Sequence, residues 1–190
     1  MGGCRSYNSM VGRSQQVDQQ WAQVQNQYQR RADLVPNLVS TVSGAANFEK
    51  STLTEIVQAR ASVGQMKIDS SQAPNTAEEL EKFDNAQRGL SSALSRLLVV
   101  SERYPDLKSN SSFRDLQAQL EGTENRITVE RQRFNESVQG YNTSIKQFPG
   151  LLIARLFGFQ YKPYFQAKEG TETPPKVEFN FGNQNTKTQK

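Results

Sequence analysis

Large apolar side chains recur every seven residues through the second half of this chain, and that interval limits what the segment can form. An α-helix has about 3.6 residues per turn, so a seven-residue interval places such side chains along one narrow stripe. In a β-strand the same odd interval would send successive members to opposite faces. We therefore predict one long helix over 112–147. The recurring residues are Phe113, Leu120, Ile127, Phe134, Tyr141 and Phe148.

Three earlier segments show the same helical periodicity. In the first, Arg31 takes a position on the apolar stripe, and in the third Gln87 and Ser101 do so. Thr76 and Glu79 form a capping-box pattern that predicts the start of the third helix. The apolar positions are Val17, Trp21, Val24, Tyr28, Val35, Leu38 and Val42; then Leu53, Ile56, Val57, Val63 and Met66; then Leu80, Phe83, Leu90, Leu94, Leu97 and Tyr104.

Narrow stripes suit a chain in which only 35% of the residues are hydrophobic, below the ~45–50% usual in globular domains. Short connections between long helices favour antiparallel neighbours. We predict an all-α fold, an elongated antiparallel up-down four-helix bundle with coiled-coil-like packing over residues 9–148. In the alternative, the first two segments form one bent helix over 9–67, and the bundle has three helices.

Composition changes at both ends of the predicted bundle. Residues 1–8 are interpreted as the remnant of an N-terminal anchor. Residues 149–181 form a short apolar, aromatic C-terminal extension, in which 177–181 alternates like a strand. Residues 182–190 lack apolar side chains and are expected to be a disordered polar tail.

The absence of histidine excludes several classes of enzyme. Catalytic Ser-His-Asp and Cys-His arrangements, and zinc sites of the His-Glu-x-x-His type, all need that residue. The chain has one cysteine and no glycine-rich phosphate loop. Its net charge of +4 arises mostly after residue 148, so the bundle is nearly neutral and is not expected to bind nucleic acid. We predict no catalytic constellation, metal site or cofactor.

Several strings resemble the LemA family and follow its order through nearly the whole chain. The resemblance implies a bacterial, membrane-anchored helical bundle, found in association with membrane zinc proteases and envelope modules. Members typically begin with a membrane-spanning helix, whereas only six residues precede Tyr7 here. The strings are Tyr7-Asn8, Trp21, QRRADLVPNLV at 29–39, YPDLK at 104–108, LEGTENRI at 120–127, Tyr141-Asn142, Phe148-Pro149, FGF at 157–159, Tyr164-Phe165 and PKVEF at 175–179.

Cys4 is the predicted site of lipid attachment. Because it follows two glycines, it resembles the end of a bacterial lipobox, although the apolar stretch that processing requires is missing. The alternatives are a missing membrane-spanning helix, N-myristoylation of the Met-Gly start, and an inert thiol.

Burying the charge of Arg31 on an apolar stripe costs free energy unless a side chain of opposite charge pairs with it. We predict a buried ion pair between Arg31 and Glu124 that fixes helix register, with Asp33, Glu121 and Arg126 nearby. Alternatively, Arg31 lies at the bundle edge and reaches water through its long stem.

The aromatic extension has three interpretations: it covers the end of the core, enters a membrane interface, or binds a partner. The residues predicted to make membrane or partner contact are Leu152, Ile153, Phe157, Phe159, Tyr161, Tyr164 and Phe165.

Together these features predict a non-enzymatic, membrane-tethered helical scaffold of the bacterial envelope, with its bundle outside the cytoplasm. Its expected partners are other envelope proteins and the membrane, reached through an N-terminal anchor, and self-assembly into a homo-oligomer is an alternative. A second hypothesis is an adaptor or regulator of an envelope protease. A third is an enzyme that uses the carboxylates of Asp33, Glu121 and Glu124.

Overall fold

A computed structural model describes residues 2–45, 48–66 and 72–166, and the described ranges contain helices and no strand. The all-α prediction is therefore confirmed. In chain order the helices are α1 (Gly2–Ser43), α2 (Lys50–Gln65), α3 (Ala77–Ser101), α4 (Pro105–Ser109), α5 (Ser111–Lys146) and α6 (Gly150–Phe157).

The four long helices alternate in direction. On α1 and α5, Arg13 contacts Gly140 and Arg31 contacts Glu124, so these helices run antiparallel. The same holds for α2 and α3, where Glu55 pairs with Arg96 and, just beyond the helix ends, Glu49 pairs with Arg103. Arg60 of α2 donates to the Ala32 carbonyl of α1 at 3.2 Å, so α2 also runs back along α1. These contacts agree with the predicted up-down order. The three-helix alternative is wrong, because α1 ends at Ser43 and α2 begins only at Lys50.

The ends of the chain differ in detail from the sequence expectations. Residues 2–8 continue α1, which therefore runs for 42 residues. The first part of the aromatic extension is the short helix α6, and the chain then runs without regular structure from 159 to 166. The strand-like segment 177–181 and the tail 182–190 lie outside the described residues.

Side chains that cap the helices mark where α3 and α5 begin. The Thr76 hydroxyl accepts a hydrogen bond from the Glu79 N–H at 3.2 Å, which confirms the predicted helix start. Asn110 acts in the same way for α5, where its side-chain oxygen accepts from the Phe113 N–H at 3.2 Å. Each contact satisfies a backbone donor that the first helical turn leaves without a partner.

The core consists of two clusters stacked along the bundle. One surrounds Trp21 and Phe134 and includes Phe165 from the chain after α6. The other surrounds Leu38 and Leu97 and includes Ile56 from α2. Thus α2 covers one half of the bundle, and the C-terminal segment covers the other half.

The seven-residue stripe of α5 is buried except for its last member. Phe113, Leu120, Ile127, Phe134 and Tyr141 are all buried, whereas Phe148 is 82% exposed. Because α5 ends at Lys146 and the chain turns before α6, Phe148 is no longer on the helix that sets the period.

Phe134 is expected to be a major source of stability, since its ring is fully buried and contacts both Trp21 and Phe165. We expect Phe134→Ala to lower the free energy of unfolding by about 3–5 kcal/mol, measured by urea denaturation. The matched control is Val129→Ala on the exposed side of the same helix, which should change it by less than ~0.5 kcal/mol. Equal losses in the two variants would contradict this description of the core.

Candidate functional site

Arg31 lies inside the bundle between α1, α3 and α5. Its side chain is 1% exposed, and Nη1 donates to Glu124 Oε2 at 2.9 Å and to the Ser91 hydroxyl. Nη2 donates to the backbone carbonyl and side-chain oxygen of Gln87, at 3.0 and 2.6 Å. The guanidinium also lies over the Tyr28 ring, 5.1 Å from its centre. One cation therefore joins three helices.

The predicted pair of Arg31 and Glu124 is formed, and Arg31 does not reach water at the bundle edge. Glu124 is half exposed, so only the arginine bears the full cost of burial. The role of the pair in setting helix register stays a prediction.

The other charged residues predicted near this pair lie elsewhere on the surface. Asp33 accepts a hydrogen bond from Gln29 at 2.7 Å, one turn away on α1. Glu121 accepts from Gln117 at 3.1 Å on α5. Arg126 is exposed. The structure therefore does not gather Asp33, Glu121 and Glu124 into one carboxylate cluster.

A second polar cluster lies next to Arg31 and was missed by sequence reasoning. Asp84 is buried on α3; it accepts from Arg131 of α5 at 2.7 Å and also pairs with Arg88. Arg131 donates to the Tyr28 hydroxyl at 3.3 Å. Burial raises the pKa of that hydroxyl, an effect that the charge of Arg131 opposes. The sequence signal for this cluster is the position of Asp84, which lies three residues before Gln87 and therefore next to the apolar stripe of α3.

Two asparagines of α5 hold the chain that follows α6. Asn142 accepts from the Lys162 N–H at 3.0 Å and donates to the Lys162 carbonyl at 2.9 Å. Asn135 makes the same pair of bonds to the backbone of Phe165, at 2.9 and 3.0 Å. The sequence signal for this contact is the seven-residue separation of the two asparagines, which places both on one face of α5.

Side chains of the same segment also enter the core. Phe165 is buried between Trp21 and Phe134, and the Arg131 guanidinium lies 4.3 Å from the centre of its ring. The Lys162 ammonium pairs with Asp18 of α1 at 3.0 Å. This part of the aromatic extension therefore covers the core.

The rest of the extension leaves apolar side chains at one end of the bundle. Around α6, Leu156 is 78% exposed and Leu152 is 59% exposed. The Tyr7 ring of α1 packs against Phe157 at 4.8 Å and Phe159 at 5.8 Å between ring centres, so the start of α1 adjoins this surface. We call it the apolar end; its exposed members are Tyr7, Phe148, Leu151, Leu152, Leu156, Phe157 and Tyr161.

The seven residues predicted to contact a membrane or partner thus divide into two groups. Phe165 is buried, and Ile153 and Phe159 are partly buried against the core. Leu152, Phe157, Tyr161 and Tyr164 are exposed, and Tyr164 borders a groove between α3 and α5. Contact of the exposed group with a membrane or a partner stays a prediction.

Two features that would indicate a membrane span or a metal site are absent from residues 2–45, 48–66 and 72–166. None of the helices there has both the length and the apolar character that crossing a bilayer requires. No group of three or more metal-ligating side chains comes together in the part of the chain that the structure describes. Cys4 lies in the first turns of α1, but its side chain is outside the described set, so lipid attachment there stays a prediction.

Comparison with known proteins places this chain among several relatives. Residues 20–179 match the model of the LemA family. Magnetosome protein MamQ of Magnetospirillum gryphiswaldense is 34% identical over 89 residues, which cover 47% of this chain and 33% of that protein. Protein LemA of Metamycoplasma hominis is 23% identical over 171 residues, covering 86% of this chain and 73% of that protein. The chain therefore spans about a third of the length of its MamQ relative.

The contact between Arg31 and Glu124 can be measured by a double-mutant cycle. We expect Arg31→Met and Glu124→Gln to be coupled by about 1 kcal/mol in the free energy of unfolding. This value lies between those of buried and surface pairs, because water screens the half-exposed carboxylate.

The matched control replaces Glu124→Gln with Glu121→Gln, one turn away on α5 and bonded to Gln117 instead. Its coupling to Arg31→Met should be close to zero. Equal coupling energies in the two cycles would show that the direct contact between Arg31 and Glu124 does not contribute to stability.

Proposed function

Since this chain belongs to the LemA family, we propose that it is a membrane-tethered, non-enzymatic helical scaffold of the bacterial envelope. It acts through contacts with other envelope proteins or with copies of itself. In this proposal the bundle lies outside the cytoplasm, and its apolar end faces the membrane.

The observation that carries the proposal is the position of the apolar end. Exposed leucine and aromatic side chains surround α6, and they adjoin Tyr7 near the start of α1. Contiguous exposed apolar surface is typical of membrane or protein contact sites. An anchor at the N-terminus would therefore enter the bilayer beside a surface that is itself suited to the lipid interface.

The charges at this end support the same orientation. Residues 1–17 and 137–168 contain no Asp or Glu, whereas Arg5, Arg13, Lys146 and Arg155 lie within them. The Lys146 ammonium lies 5.1 Å from the centre of the Tyr161 ring. Basic side chains beside exposed aromatic rings favour anionic lipid headgroups.

The dimensions of the bundle support a scaffold role. With 42 residues, α1 is about 63 Å long at ~1.5 Å per residue. Its far end, near Ser43, is therefore well beyond the lipid headgroups when the apolar end lies on the membrane. The sides of the long helices are then available to protein partners.

We expect the full chain to bind vesicles of phosphatidylglycerol and phosphatidylethanolamine in a sedimentation assay. Leu152→Ser combined with Leu156→Ser should weaken binding about a hundredfold, since losing two interfacial leucines removes roughly 3 kcal/mol. Both side chains are largely exposed, so the double variant should keep its fold.

The matched control is Val57→Ser combined with Val99→Ser, which removes exposed apolar side chains from α2 and α3. It should bind vesicles as the unchanged chain does. If the leucine and valine variants bind equally well, α6 does not face the membrane.

The tether has a separate test in bacterial cells. When the gene is expressed from its natural start, we expect the protein to sediment with the membrane fraction. Cys4→Ser should release it if lipid attached at this residue holds the protein there, because the apolar end alone binds reversibly. Cys4→Ala should give the same result, and an unchanged distribution of both variants would assign anchoring to another segment.

A further inference from the structure

We propose that a cavity beside the apolar end binds the phosphate of an anionic membrane lipid, and that Arg5 and Arg13 of α1 hold that phosphate. The cavity has a volume of about 300 Å³ and is lined by α1, by the end of α5 and by the start of α6. This volume is at the small end of the range for ligand pockets, which suits a headgroup. The inference rests on the proposed function, in which the apolar end faces the membrane.

The charges of the two arginines are not neutralised by the described part of the protein. Over residues 2–45, 48–66 and 72–166, neither Arg5 nor Arg13 forms an ion pair with a carboxylate. Glu136 lines a neighbouring cavity with Arg13, but its carboxylate accepts a hydrogen bond from Gln132 instead. Arg13 Nη1 donates a long hydrogen bond, of 3.5 Å, to the Gly140 carbonyl. Because a guanidinium has five N–H donors, Arg13 keeps donors for an added anion.

The side chains around the cavity match a phosphodiester that has one negative charge. A guanidinium can donate two parallel hydrogen bonds to the oxygens of one phosphate. Ser9 and Gln147 also line the cavity, and their hydroxyl and amide groups are further donors. All lining residues lie within 1–17 and 137–168, which contain no Asp or Glu. Since no carboxylate is present to pair with a headgroup amine, we expect phosphatidylglycerol to bind better than phosphatidylethanolamine.

One wall of the cavity is formed by close packing of α6 against α1 and α5. Met10 of α1 is 2% exposed, and Gly150 at the start of α6 is buried. A Cβ atom at position 150 would lie 2.7 Å from Met10 Cε and would also overlap the Ser144 carbonyl of α5. Any larger residue there would push α6 away from the other two helices. The cavity is therefore a product of how these three helices pack.

The apolar side of the cavity favours a lipid over a free phosphate ion. Phe148 lines the cavity, is 82% exposed and belongs to the apolar end. Hydrogen-bond donors and an exposed ring are therefore adjacent, as are the phosphate and the acyl chains of a phospholipid. With the phosphate on Arg5 and Arg13, the acyl chains can extend past Phe148 toward the bilayer.

A short-chain lipid tests the site without a membrane. The probe is dihexanoyl phosphatidylglycerol below its micelle concentration, added to the full chain and followed by NMR chemical shifts. We expect Arg5→Gln and Arg13→Gln each to weaken binding about tenfold, since each removes charge-assisted hydrogen bonds. Both side chains are exposed, so the variants should keep their fold.

The matched control is Arg155→Gln, which removes an exposed cation of α6 outside the cavity. It should change the affinity less than about twofold, because one distant exposed charge is screened by salt. Equal losses in the Arg5, Arg13 and Arg155 variants would show general attraction to positive charge, and would overturn the site.

Dimethyl phosphate is a phosphodiester without acyl chains, and it identifies the source of the phosphate. We expect it to bind about tenfold more weakly than the short-chain lipid, because it buries no apolar surface against Phe148. Phe148→Ser should weaken binding of the lipid and leave binding of dimethyl phosphate unchanged. Equal affinities of the unchanged chain for the two probes would overturn the assignment to a lipid.

The result is separate from the vesicle test of α6. If the leucine variant kept its vesicle binding while Arg5→Gln and Arg13→Gln lost the short-chain lipid, the lipid site would stand and the proposed membrane face would be wrong. If the arginine variants bound the short-chain lipid as the unchanged chain does, the lipid site alone would be overturned.

Discussion

The buried guanidinium of Arg31 joins three of the long helices, α1, α3 and α5, at one level inside the bundle. An apolar stripe tolerates a shift of one helix along another, because leucines and phenylalanines contact whichever neighbours they meet. A buried cation does not, since each of its hydrogen bonds needs an acceptor at one place. Gln87 on α3 and Glu124 on α5 supply those acceptors at the same level of the bundle.

The polar layer formed by Arg31, Gln87 and Glu124 also divides the core into two parts, and a different segment of the chain covers each part. On one side, α2 completes the packing around Leu38 and Leu97. On the other side, the chain after α6 takes that place, with Phe165 against Trp21 and Phe134. The bundle is therefore completed by a helix in one half and by an irregular segment in the other. The asparagines of α5 satisfy the backbone groups of that segment, which has no helical or strand partners of its own.

The two halves also differ in what they present to the outside. The half completed by the C-terminal segment includes the apolar end, where α6 and the start of α1 leave apolar and basic side chains exposed. The C-terminal segment also borders the groove between α3 and α5, through Tyr164, Phe165 and Gln166. The apolar end proposed to face a membrane and the groove between α3 and α5 are therefore different surfaces of the bundle.

Periodicity in the sequence predicted the four long helices and most of the buried apolar positions on α1, α3 and α5, because a repeat near 3.5 residues specifies one face of a helix whatever packs on it. On α2 it succeeded only at Ile56, since Val57 is exposed. The up-down order followed from the short connections between the helices. Periodicity also singled out Arg31 and a carboxylate partner, since a charge on an apolar stripe needs a partner of opposite charge.

The sequence did not predict the pairing of Asp84 with Arg131. The pattern within one helix does not specify which of its residues lies at the same level as a given residue of another helix. Phe148 continues the seven-residue pattern of α5 but is exposed, because α5 ends at Lys146, two residues before it. Only the tertiary structure decided which aromatic residues after α5 enter the core and which stay outside. The extended segment has no period, and its course depends on side-chain contacts with α5.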